Sequence, residues 1–153
     1  VQGRMMRLEE VPDPIFSRGM VGKGVAFLPD RGELVAPVRA KVTHVHPAGH
    51  ALGLKTPEGL DVLLHVGIDT ATAGERVFQV VVEAGQEVTP GQTLMRFDLA
   101  RLKKAAKSPA IPMVVTNPEV VRSWRFAPFR TVRKGQASVM SVSLKESGCE
   151  GGE

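Results

Sequence analysis

Short valine-rich runs, each closed by a turn bearing glycine or proline, follow one another along the whole of this chain. Glycine occurs 16 times and proline 11 times in 153 residues, and both are spread along the chain. Turn signals fall at Pro29-Asp30-Arg31-Gly32, Thr56-Pro57-Glu58-Gly59, Glu83-Ala84-Gly85-Gln86, Thr89-Pro90-Gly91-Gln92 and Arg133-Lys134-Gly135-Gln136. They divide the chain into expected strands at Arg4–Leu8, Gly24–Leu28, Glu33–Val35, Ala40–His46, Ala51–Lys55, Asp61–Val66, Val77–Val82, Thr93–Phe97, Met113–Val115 and Ala137–Leu144. Runs this short, with a turn about every ten residues, predict an all-β antiparallel sandwich or barrel-sandwich. One helix is expected where Asp98 can cap Leu99–Lys107, ended by Ser108-Pro109. A second helical turn is expected from Pro118 to Ser123. Val88–Gln92 also echoes Val132–Gln136, each ahead of a strand, which either duplication or shared turn chemistry explains.

The length suits one domain, taken as residues 1–145, with residues 146–153 a disordered tail or linker. A single cysteine, Cys149, rules out a disulfide framework and fits a reducing cytoplasm. No stretch approaches the ~20 apolar residues of a membrane span, so no direct membrane insertion is expected. Net charge is +4, but the basic residues are scattered, aromatics are 5% and tyrosine is absent. Bases would find no stacking platform, and nucleic acid is not an expected partner.

The chemistry concentrates in residues 49–70, where His50 and His65 close the outer ends of an apolar hairpin around Thr56–Gly59. Read as a four-residue type I turn, the hairpin sets Lys55 opposite Leu60, Leu52 opposite Leu63, and His50 opposite His65. Opposed side chains share one face, with Cβ atoms about 4.5–5.5 Å apart. A three-residue loop with Gly59 left-handed shifts the register by one and sends the histidines to opposite faces. The paired register is favoured because an apolar collar would keep at least one ring neutral. A neutral imidazole is a nucleophile toward phosphorus, and a second ring can stabilise the phosphoryl oxygens. His44 and His46 alternate along another strand. They form a half-site for zinc without an obvious third ligand, and a structural role is the expectation for both.

His65-Val66-Gly67-Ile68-Asp69-Thr70 resembles the glucose-type enzyme IIA family, phosphocarrier proteins of the bacterial sugar phosphotransferase system. The likeness extends through Glu10–Phe16, Met20–Ala26, Leu34–Val38, His50-Ala51, Glu83–Val88, Phe97–Leu99 and Val114–Asn117, in one order along the chain. It implies an antiparallel β-sandwich with few helices, and a phosphotransferase component with no obligatory cofactor. It implies that His65 is phosphorylated by the carrier protein HPr, that His50 supports the phosphoryl group, and that Asp69 lies beside them. The phosphoryl group would pass to a cysteine of a sugar-specific IIB domain of a membrane permease, and that cysteine is not Cys149. Ile15, Phe16, Met20 and Val21 would form an apolar docking patch.

The chain also departs from the family pattern. The threonine usual two residues before the first histidine is Ala48, which removes one polar contact to His50. The glycine-rich run after the phosphorylation motif is reduced to Gly74-Glu75-Arg76-Val77-Phe78. The family's first strand is largely missing before Val1, which fits a domain cut from a longer protein. A zinc-dependent hydrolase on a related β fold is the alternative, and a regulatory binding module is compatible with the carrier. No metal site is expected in the chain by itself; His50 and His65 could share a zinc ion only with an acidic ligand supplied by a partner.

Overall fold

The computed structural model describes residues 3–13, 22–47, 49–68, 77–105, 108–126, 131–132 and 140–144. Within them the chain runs β1 (Gly3–Arg7), a 3-10 turn at Leu8–Glu10, β2 (Lys23–Pro29), β3 (Glu33–Val35), β4 (Ala40–Val45), β5 (Ala51–Lys55) and β6 (Asp61–His65). It continues through β7 (Phe78–Val80), β8 (Glu87–Val88), β9 (Thr93–Phe97), α1 (Leu99–Ala105), β10 (Ile111–Val115), a 3-10 turn at Pro118–Val120, β11 (Val121–Phe126), β12 (Thr131–Val132) and β13 (Met140–Leu144). All paired strands are antiparallel. An eight-stranded sheet has the order β12-β1-β2-β10-β6-β5-β4-β8, and β3-β9-β7 and β11-β13 form two smaller sheets. The all-β antiparallel sandwich expected from the turn rhythm is what the chain adopts. No helix among the described residues is long and apolar enough to cross a membrane.

Alternation along the strands builds two apolar layers. Val25, Phe27, Leu52, Leu54, Val62, Leu64 and Met113 meet Leu34, Leu94, Met95, Phe97 and Phe78 of the three-stranded sheet in the main core. Ala26, Val114 and Ile68 face the other way, against Leu8 and Val11. β10 is therefore buried along its whole length, which explains its unbroken apolar sequence.

Turn chemistry repeats. In Glu83–Gln86 and in Thr89–Gln92 the first residue's N–H donates to the glutamine Oε1, and its carbonyl accepts the glutamine N–H. The echo with Val132–Gln136 lies mostly outside the described residues. The helix forms at Leu99–Ala105, with Asp98 Oδ1 accepting from Arg101 N at 3.1 Å and Leu102 fully buried. The helical turn expected from Pro118 to Ser123 stops at Val120, and β11 begins at Val121. Proline at the turn's start marks a helical first residue, but pairing with the sequence-distant β13 makes a strand of the residues after Val120. The short strands β8 and β12 likewise exist through pairing with β4 and β1.

The histidine hairpin takes the register that the sequence reading did not favour. Ala51 pairs with His65, Leu52 with Leu64, Gly53 with Leu63 and Lys55 with Asp61. Gly59 N donates to Thr56 O at 3.0 Å, and Thr56 N donates to Leu60 O at 3.0 Å. Gly59 has φ 98°, so the loop is a type I turn closed by a left-handed glycine. Thr56 Oγ1 also accepts from Leu60 N at 3.0 Å. Asn117 clips this register from outside the hairpin, accepting from Asp61 N at 2.8 Å and donating to Gly59 O at 2.9 Å. That clip comes from a segment more than fifty residues away, so the hairpin's own sequence does not contain it.

Candidate functional site

Strand alternation in this register would send His50 and His65 to opposite faces. Their ring centroids nevertheless lie 4.9 Å apart, edge to face at 69°. They meet because both sit at the end of the regular ladder. His50 precedes β5 and follows Gly49, whose φ of 84° bends the chain. His65 ends β6, and its ring turns back on the loop, Nδ1 lying 2.7 Å from the Gly67 carbonyl oxygen. The backbone stays tied across the gap, Val66 N donating to His50 O at 2.7 Å. Gly67 and Ile68 are anchored in turn, donating to Ala110 O at 2.9 Å and Ser108 O at 2.8 Å.

The position of Gly49 admits no side chain without cost. A Cβ there would lie 3.3 Å from Phe78 Cβ, in a left-handed conformation. Gly49→Ala is expected to lower stability by about 1–2 kcal/mol, read as a lower midpoint in urea unfolding. The seat of His50 should loosen with it, because Gly49 N donates to His46 O at 2.8 Å and so fixes the approach to His50.

The carbonyl of Gly67 can only accept, so the hydrogen of neutral His65 sits on Nδ1 and the lone pair on Nε2. His65 is held below its ordinary 6.5, chiefly by burial and further by His46, while the Gly67 carbonyl and the Asp13 carboxylate pull the other way. His50 is pushed down from 6.5 to about 4 by burial, with His65 and His46 adding to it. Both rings are thus neutral near pH 7. Among the described residues His50 Nδ1 is buried and has no hydrogen-bond partner. Position 48, where the family usually has threonine, is alanine and offers no hydroxyl.

These shifts tie stability to pH. The unfolded chain binds a proton on residue 50 below about pH 6.5, whereas the folded chain resists until about pH 4. Stability is therefore full above pH 6.5 and declines as pH falls through this window. The expected loss is about 1 kcal/mol once solvent screening at a half-buried ring is allowed for. Thermal unfolding between pH 7 and 4 should show it, and His50→Gln should flatten the curve.

The sequence reading expected a structural role for His46 beside His44, and it assigned Phe78 and Asp13 no role at the site. His46 packs on His50 with centroids 4.3 Å apart. Phe78 lies 6.2 Å from His50, ring to ring. Asp13 acts on His65 from the β1–β2 connection. Asp13 sits in one of the segments that carry the family likeness, but no periodicity marks it. His44 parts company with His46: a bulge between Val42 and His44 interrupts the ladder, and the His44 ring covers Gly53 and lies 3.2 Å from Thr43 Oγ1. No group of three or more His, Cys, Asp or Glu among the described residues is arranged to hold a metal ion. Asp69 and the patch residues Ile15, Phe16, Met20 and Val21 lie outside the described residues.

An all-β sandwich with two neutral, converging imidazoles beside the end of a strand defines a histidine-based group-transfer domain. A family model described as "phosphoenolpyruvate-dependent sugar phosphotransferase system, EIIA 1" matches residues 1–121. The glucose-specific EIIA components of Staphylococcus epidermidis and Staphylococcus aureus are each 37% identical over 142 residues, which is 93% of this chain and 86% of theirs. Among solved structures, the glucose permease IIA from Mycoplasma capricolum superposes with a TM-score of 0.85 at 31% identity, over 91% of this chain and 90% of that one. The chain belongs to the EIIA 1 family of the phosphoenolpyruvate-dependent sugar phosphotransferase system. It is a phosphotransferase component, a phosphoryl carrier in sugar uptake that works with other components of that system. Nothing in the comparisons supports the zinc hydrolase alternative.

Proposed function

We propose that His65 is the residue that carries the phosphoryl group, on Nε2. The observation that carries this reading is the 2.7 Å bond between His65 Nδ1 and the Gly67 carbonyl. It puts the lone pair on Nε2 of a ring that burial keeps neutral, so no proton need leave before attack. The Nε2 lone pair forms the new N–P bond as the donor's N–P bond breaks, and the donor imidazole keeps that bond's electron pair. His50, whose ring centroid lies 4.9 Å from that of His65, then supports the phosphoryl oxygens. Onward transfer reverses the roles, with an acceptor thiolate taking the phosphorus.

The donor is read as the phosphohistidine of HPr and the acceptor as a cysteine of a sugar-specific IIB domain. Ile15, Phe16, Met20 and Val21 are proposed to line the docking surface, with Asp69 beside the histidines. A water-poor contact of that kind suits the joining of two phosphoryl sites. The similar proteins are named for glucose, which favours glucose as the sugar, although selectivity would reside in the membrane partner. Residues 1–145 would act as one domain working in the cytoplasm. Incubation with phosphoenolpyruvate, enzyme I and HPr tests the reading: intact mass should rise by one acid-labile phosphoryl group. A chain whose mass does not change under conditions that phosphorylate HPr would refute it.

A further inference from the structure

We propose that His46 is a positioning residue for phosphoryl transfer at His65, seating its ring against His50 so that His50 faces the phosphoryl group; this rests on the reading of His65 as the phosphoryl acceptor. The backbone holds His46 for such a role. Its N–H donates to Ala51 O at 2.8 Å and its carbonyl accepts from Gly49 N at 2.8 Å. These two bonds fix the residue after β4 to the residues on either side of His50. The ring packs on His50 at 4.3 Å, so that His50 lies between His46 and His65. His46 itself is exposed.

A phosphoryl group on His65 would bring close to two negative charges into the site near neutral pH. His50, held neutral down to about pH 4, can offer it a hydrogen bond but not a cation. That hydrogen bond depends on direction, so the seat that His46 gives the His50 ring decides whether it reaches the phosphoryl oxygens. His46 forms and breaks no bond to phosphorus.

The test compares wild type with His46→Phe, which keeps a ring on His50 without a titratable nitrogen, and His46→Ala, which removes both. Thermal unfolding is the control for folding of both variants. Phosphoryl uptake from phospho-HPr in single turnover should slow about tenfold in His46→Ala and stay at the wild-type rate in His46→Phe, which still packs a ring on His50. Wild-type uptake by a folded His46→Ala chain overturns this proposal alone. A wild-type chain that takes up no phosphate removes the carrier reading and this proposal with it.

Discussion

His65→Gln leaves the folded chain unable to take up a phosphoryl group, with uptake reduced by at least about 10³-fold to background. The glutamine amide has no lone pair of imidazole strength to offer phosphorus. Its NH₂ can still donate toward the Gly67 carbonyl that His65 Nδ1 contacts at 2.7 Å. The loop through Val66, Gly67 and Ile68 keeps its bonds to His50, Ala110 and Ser108. Stability should thus change by no more than about 1 kcal/mol, and the loss can be assigned to chemistry rather than unfolding. Intact mass after incubation with enzyme I, HPr and phosphoenolpyruvate reads the result. Continued uptake of one acid-labile phosphate by this variant would end the assignment of His65.

His50→Gln should behave differently. The variant becomes phosphorylated to completion when phosphorylated HPr is in excess, yet hands the group on about 10²–10³-fold more slowly, the usual cost of losing one donor aimed at transition-state charge. Both steps pass through a similarly charged transition state, so uptake slows as well. Excess donor conceals that slowing at the end point, whereas single-turnover transfer to a IIB cysteine exposes it. The half-buried ring of His50 also carries a buried Nδ1 that has no partner among the described residues, and its removal relieves an unfavourable desolvation. His50→Gln can therefore be as stable as wild type, or more so below pH 6.5, while transferring poorly. That combination marks a residue kept for function at some expense of stability. Wild-type onward rates in this variant would show that His50 has no part in transfer.

The turn rhythm was enough to read the sandwich, because glycine and proline act locally on backbone geometry. The helix at Leu99–Ala105 was legible for the same reason, since Asp98 caps it within the same turn. β11 was not, because it is a strand only by virtue of β13. At the site, both converging histidines could be named from the hairpin and the family likeness, but the geometry offered for their meeting was mistaken. The hairpin closes with Ala51 opposite His65, and Thr56–Gly59 is compatible with either loop.

The sequence by itself therefore determined the class of fold, the family, and the two imidazoles. These depend on residue identity and on turns whose preferences act over a few positions. Tertiary structure alone decided the register, through the Asn117 clip on Gly59 and Asp61, and the convergence of rings at a sheet end where alternation no longer holds. It also decided that His46 and Asp13 belong to the site. Their separation along the chain from His65 carries no periodic mark, and proximity across a folded sheet is a property of packing that no local pattern encodes.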